Sequence, residues 1–201
     1  MTSPLKLRQV LGLGLAGLGA ARLASRGGAA DLELVARATR GLLPGGPATM
    51  LTYNGRSPGP LLEVNAGDQM RLLLRNDLKE PTNLHFHGLR ISPTGSGDNV
   101  FLCVPPGGST TYAFKLTADH PAGLFFAHPH HHGHMADQVF TVLGGTLLVR
   151  GDLNRISEVA AASEAVLVLK DFASASAAVT AEAGMGLVIN GQPFDPDRID
   201  T

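Results

Sequence analysis

From Ala48 onward, apolar and polar positions alternate in short runs, each closed by turn residues. ATMLTY (48–53) is closed by Asn54-Gly55, and PLLEV (60–64) by the turn NAGD. QMRLLLRN (69–76) places Met70, Leu72 and Leu74 on one face and Arg71 and Arg75 on the other, which is the period of a half-buried strand. NLHFHGLRI (83–91), VFLCV (100–104), TTYAFKL (110–116), GLFFAH (123–128) and GTLLVR (145–150) continue the series, with Tyr112, Phe114 and Leu116 sharing a face. Seven or so short strands, with turn signals about every ten residues, predict an all-β sandwich or barrel.

The two ends depart from this pattern. Lys6 and Arg8 precede the apolar run Val10–Ala21, which has signal-peptide length and is too short to span a bilayer. Residues 1–30 therefore read as an export leader cleaved before Asp31, and the protein is expected to be periplasmic or extracellular with no stable membrane span. Residues 31–47, broken by GLLPGGP, read as a linker or first edge segment. After Gly151 the pattern changes again. LNRISEVAAASEA favours helix, AVLVLKDF a buried strand, and GLVINGQPF a strand followed by a turn. Residues 153–201 are expected to be a linker and the beginning of a truncated second domain.

Composition narrows the class. Hydrophobic residues are 44% and charged residues 16%, which suits a packed core, and 25 glycines with 13 prolines favour strands and turns over long helices. A formal net charge of −1 argues against nucleic acid or an acidic membrane as partner. The single cysteine, Cys103, excludes an internal disulfide and cysteine-based zinc or iron–sulfur sites. Its apolar surroundings predict a small buried side chain.

The eight histidines fall in three places: His85 and His87 in HFH, His120 alone, and five more within AHPHHHGH (127–134). On a strand, residues i and i+2 share a face about 6.5–7 Å apart, too far for comfortable chelation of one ion but suited to one donor for each of two adjacent ions. HFH and HPH (His128, His130) are thus two-pronged donors that sheet pairing can bring together. Phe86, on the opposite face, can anchor its strand in the core, and Pro129 sets His130 at a strand end or edge. An all-imidazole set suits copper or zinc. No HExxH and no GxSxG is present, so neither a zinc protease nor a serine hydrolase elbow is indicated. His120, in ADHPAG, reads as a surface turn residue; His131, His132 and His134 are not placed.

SPGPLLEVNAGDQMRLLLRN, TNLHFHGL, PPGGSTTYAF and HPAGLFFAHPHHHGHMADQVFTVLGGTLLV together resemble the amino-terminal, plastocyanin-like domain of the laccase-like multicopper oxidases. The resemblance spans Thr49 to about Gly151, and INGQ (Ile189–Gln192) is similar to the VNGQ that opens the family's second domain. It implies a cupredoxin fold, a Greek-key β-sandwich, over residues 48–152. It implies that His85 is a type 2 copper ligand and that His87, His128 and His130 are three of the six type 3 ligands. Asp98 resembles an acidic residue near the cluster that assists proton delivery. In a complete member, a type 1 copper takes electrons from a reducing substrate and the trinuclear cluster reduces dioxygen to water. The family's HxxHxH and HCHxxxH motifs are absent from these 201 residues. The copper sites are therefore expected to be partial, with the remaining ligands supplied by another chain or further domains. Phe86, Phe126 and Ala127 stand where Trp or Tyr is usual, and Val142 where glycine is common. Two other functions fit the same residues: a non-enzymatic copper-binding module for storage or delivery, and a zinc-binding protein.

Overall fold

A computed structural model describes residues 22–24, 29–43, 46–172 and 186–193. They fall into two compact units. The larger takes in the described parts of Ala21–Thr39 and Thr49–Ala162; the smaller takes in those of Arg40–Ala48 and Ser163–Thr201.

The larger unit is built from strands β1 (Arg22–Ala24), most of β2 (Ala29–Leu43) and of β3 (Gly46–Tyr53), β4 (Leu61–Asn65), β5 (Gln69–Asn76), β6 (His85–His87), β7 (Ser109–Lys115), β8 (Gly123–His128) and β9 (Gly145–Arg150). They form a five-stranded sheet, β1-β4-β9-β8-β6, and a four-stranded sheet, β3-β2-β5-β7. Both sheets are mixed: β2 runs parallel to β5 and β4 parallel to β9, whereas β5–β7, β8–β9 and β6–β8 are antiparallel. One hydrophobic core joins them, with Met70, Leu72, Leu74 and Tyr112 from one sheet and Leu62, Val64, Leu147 and Phe86 from the other. Met70, Leu72 and Leu74 are all fully buried, as their alternation with Arg71 and Arg75 predicts, and Met70 and Leu72 lie opposite Phe114 and Tyr112. This is the all-β, cupredoxin-like sandwich expected from the sequence.

Several local expectations are revised. Residues 31–43, read as a linker or edge segment, form most of β2, an inner strand whose Leu32, Leu34 and Ala36 point into the core. Residues 22–24 and 29–30, set aside with the leader, belong to strands; β1 pairs with β4 and Ala30 is buried. The rest of the proposed leader lies outside the described residues. VFLCV is not a strand. Only Val104 bridges, to Thr82, and it turns inward while Cys103 faces solvent, so the expectation of a buried cysteine fails. MADQVF, for which no element was predicted, is a short helix, α1 (Met135–Phe140), whose Gln138 is buried. Beyond it come a 3-10 turn (Asp152–Arg155) and α2 (Ser157–Ala161), in the segment where helix was predicted.

The smaller unit contains an antiparallel sheet of β10 (Leu169–Phe172), β11 (Gly186–Ile189) and β12 (Gln192–Pro193). Asn190, in the left-handed region at φ 50°, turns the chain between the last two strands, and its amide bonds back to Val166 and Val168. Among the described residues no helix is long and apolar enough to cross a membrane.

Candidate metal centre

The edge of the five-stranded sheet carries the histidines. β6 is its last strand, and β6 pairs with β8 in the register His85↔His128, Phe86↔Ala127 and His87↔Phe126. Strand parity directs Phe86 inward, where it is 1% exposed and meets Phe114 and Tyr112 edge-on at 5.1 and 6.1 Å. The Tyr112 hydroxyl also accepts the backbone N–H of Leu84 at 2.8 Å, fixing the approach to β6. The same parity turns His85 and His87 to the other face. Gly88, at φ 92°, then takes the chain off the strand in a conformation that favours glycine.

Four imidazoles converge there. Ring centroids are 5.7 Å apart for His85–His87, 5.3 Å for His85–His128, 5.3 Å for His85–His130 and 6.1 Å for His128–His130. His87 and His128 are separated by 6.2 Å, and Phe126 stacks on His128 at 4.6 Å. All four candidate ligands named from the sequence are thus neighbours, with His85 central.

Their hydrogen bonds set the ring tautomers. His85 Nδ1 lies 2.9 Å from Asp98 Oδ1, and the Phe86 N–H donates to the same oxygen at 2.9 Å. His128 Nδ1 lies 3.0 Å from the Pro129 carbonyl. A carbonyl only accepts, so His128 Nδ1 carries the proton and Nε2 keeps its lone pair free; an ionised Asp98 imposes the same choice on His85. Such outer partners are what orient imidazoles that bind metals. His130 offers a different signature: its Nδ1 is buried with no hydrogen-bond partner. A lone buried ring nitrogen is costly unless something binds it. Burial lowers the pKa of His128, and the nearby His85, His130 and His87 rings lower it further, against the opposing Pro129 hydrogen bond. The ring is therefore held neutral, the form that coordinates a metal. Donor type, tautomer and the orphaned nitrogen all fit a copper site.

Among the described residues no group of three or more His, Cys, Asp or Glu side chains is arranged to hold a metal ion.

The other histidines separate from this group. His120 is buried at 3%, not at the surface of a turn. Its Nε2 accepts the Arg90 N–H at 3.1 Å and its Nδ1 faces the Pro121 carbonyl at 3.0 Å, so both nitrogens are satisfied without a metal. His131 and His134 are neighbours at 5.6 Å, and His132 lies between His130 and Phe101. Asp98 is enclosed, with a side chain 12% exposed, and is not a free turn residue. Two residues that sequence reasoning passed over complete the surroundings. Buried Asn83 accepts the His130 N–H at 2.6 Å, and buried Gln138 of α1 bonds Thr82 and the Pro81 carbonyl. The signal for Asn83 was its place two residues before His85. Val142 sits at φ 87° and is 2% exposed, a β-branched residue held where glycine is favoured.

The molecule is a cupredoxin-like β-sandwich whose imidazoles gather where the edge strand β6 meets β8 and just beyond it. The family model of the multicopper oxidases matches residues 35–152, and the chain belongs to that family. It is 40% identical over 91 residues to laccase-2 of Cryptococcus neoformans, covering 43% of this chain and 15% of that protein. It is 34% identical over 102 residues to a multicopper oxidase of Staphylococcus aureus, covering 51% of this chain and 22% of the relative. Among solved structures, a multicopper oxidase from Campylobacter jejuni, described as a metallo-oxidase, superposes with a TM-score of 0.57 at 30% identity, over 67% of this chain and 29% of that one. A multicopper oxidase from Pseudomonas thermotolerans gives 0.63 at 28% identity, over 82% and 42%. The chain thus covers only part of the length of these relatives, 15% and 22% of the two curated proteins and 29% and 42% of the two solved structures.

Proposed function

We propose that this chain is the part of an exported multicopper oxidase that supplies half of the ligands of a trinuclear copper cluster. His85 is assigned as the type 2 ligand, and His87, His128 and His130 as type 3 ligands. The observation that carries this is the pairing of β6 with β8, which gathers four imidazoles within 5.3–6.2 Å while leaving His130 Nδ1 buried and unpartnered. Copper, when bound, supplies one-electron redox chemistry for the reduction of dioxygen to water by electrons from a reducing substrate.

The chain's own residues bind and orient. His85 and His128 present Nε2 because Asp98 and the Pro129 carbonyl hold their Nδ1 protons. Phe126 stacks on the His128 ring, while Phe86, on the opposite face of β6, anchors that strand in the core. Asp98 is assigned a second task, relaying a proton toward reduced oxygen. The remaining ligands and the electron-entry site come from further domains or a partner chain.

Copper(II) titration of the purified chain, followed by electron spin resonance, tests the site. His87→Ala or His130→Ala is expected to weaken copper binding; copper uptake unchanged in both variants would overturn the assignment. The copper-loaded chain of residues 1–201 is also expected to show no laccase-type turnover. Measurable turnover would overturn the view that it holds half a cluster.

A further inference from the structure

Asn83 occupies a place in the sheet register that gives it a specific task. The β6–β8 pairing sets His85 opposite His128, so the same antiparallel register, extended two residues past the ladder, sets Asn83 opposite His130. The ladder itself stops at His128. Pro129 has no N–H, and the chain beyond it leaves the sheet. The His130 N–H thereby lacks a strand partner. The Asn83 side chain replaces that partner: its Oδ1 accepts the His130 N–H at 2.6 Å, and its Nδ2 donates to the Val100 carbonyl at 2.8 Å. Asn83 itself is fully buried. One amide thus ties His130 to the segment that carries Asp98, which in turn holds His85.

We infer that Asn83 is a positioning residue, a side-chain extension of the β6–β8 ladder that sets where the His130 imidazole stands relative to His85. This rests on the assignment of His130 as a copper ligand. An alanine at position 83 leaves the fold's apolar core intact but removes both bonds at once. His130 is then held only by the chain on either side of it, and its ring samples positions away from the cluster.

Two measurements on the full chain test this. In the copper-free protein, amide hydrogen exchange by nuclear magnetic resonance is expected to find the His130 N–H protected, and to find that Asn83→Ala removes this protection while the ladder amides of β8 keep theirs. A His130 amide that exchanges freely in the native chain overturns the clamp, whatever the metal does. In a copper(II) titration, Asn83→Ala is expected to weaken binding by about 10-fold or more, with an altered copper hyperfine pattern. Asn76→Ala serves as the structural control. Asn76 is equally buried and bonds two carbonyls, of Glu80 and Val104, but none of the four histidines. Its loss is expected to lower the unfolding temperature without changing copper affinity. Native-like copper binding by folded Asn83→Ala, or an equal loss in Asn76→Ala, overturns the proposal. If Asn83→Ala does not fold, Asn83→Ser, which withdraws the acceptor by one bond length, is expected to give the same loss, and native-like binding by it overturns the proposal. His130→Ala with unchanged copper affinity overturns the ligand assignment and this inference together, whereas a clamp failure with a sensitive His130→Ala leaves the ligand assignment standing.

Discussion

Replacing Asp98 by alanine isolates what orients the central imidazole. One carboxylate oxygen receives both the His85 Nδ1 and the Phe86 N–H, each at 2.9 Å. The side chains of His85 and Asp98 are only 20% and 12% exposed, so solvent replaces these partners poorly. Loss of a hydrogen bond to a charged group costs about 1.5–3 kcal/mol, and a partly buried N–H left without an acceptor adds about 1–3 kcal/mol. Asp98→Ala is therefore expected to destabilise the copper-free chain by about 2.5–6 kcal/mol. Its effect on copper follows from the freed ring. Without Asp98, His85 no longer has a fixed Nδ1 proton or ring direction, and partners of this kind are worth about 10–100-fold in metal affinity. That corresponds to about 1.4–2.8 kcal/mol. Competition titration against a chromophoric chelator measures the affinity, and urea unfolding measures the stability. Asp98→Asn retains a carbonyl acceptor at the same place and is expected to lose less than half as much in both. Copper affinity within twofold of the native chain in Asp98→Ala, under conditions where it is folded, would refute the reasoning.

Three further outcomes are expected. Phe86→Ala removes a buried ring that meets two others edge-on, and should cost about 3–5 kcal/mol in urea unfolding, with a loss below about 1 kcal/mol contradicting the packing described. The copper-free chain should lose stability as pH falls below 6.5. His128 has a folded pKa lowered from that value by burial, so the unfolded state takes up its proton first; in His128→Gln this part of the slope should disappear from thermal unfolding curves recorded between pH 7 and the acid limit. Exposed Cys103 should react with a thiol reagent in the native chain at close to its unfolded rate; protection from modification would contradict its position.

Much of the site was legible because strand alternation is local. A period of two puts His85 and His87 on one face and Phe86 on the other whatever the strand packs against, and puts Met70, Leu72 and Leu74 together. Pro129 announced by its missing N–H that the strand ends at His128. From these local facts, and from the motifs that resemble the multicopper oxidases, the sandwich and the four ligand candidates followed.

What lay beyond the sequence depends on contacts between residues far apart in the chain. The facing of His85 and His128 is a matter of register, which is set where β6 meets β8 across more than forty residues. His120 and Cys103 read oppositely to where they lie because burial is decided by neighbours: the Arg90 N–H and the Pro121 carbonyl satisfy both nitrogens of the imidazole, while Val104, not Cys103, takes the inward place opposite Thr82. Asn83 and Gln138 are ordinary polar letters in the sequence, and only the folded chain gives their amides backbone groups to hold. Side-chain direction along a strand is a local property of the backbone, whereas register, burial and the partners of buried polar groups exist only once distant segments have met.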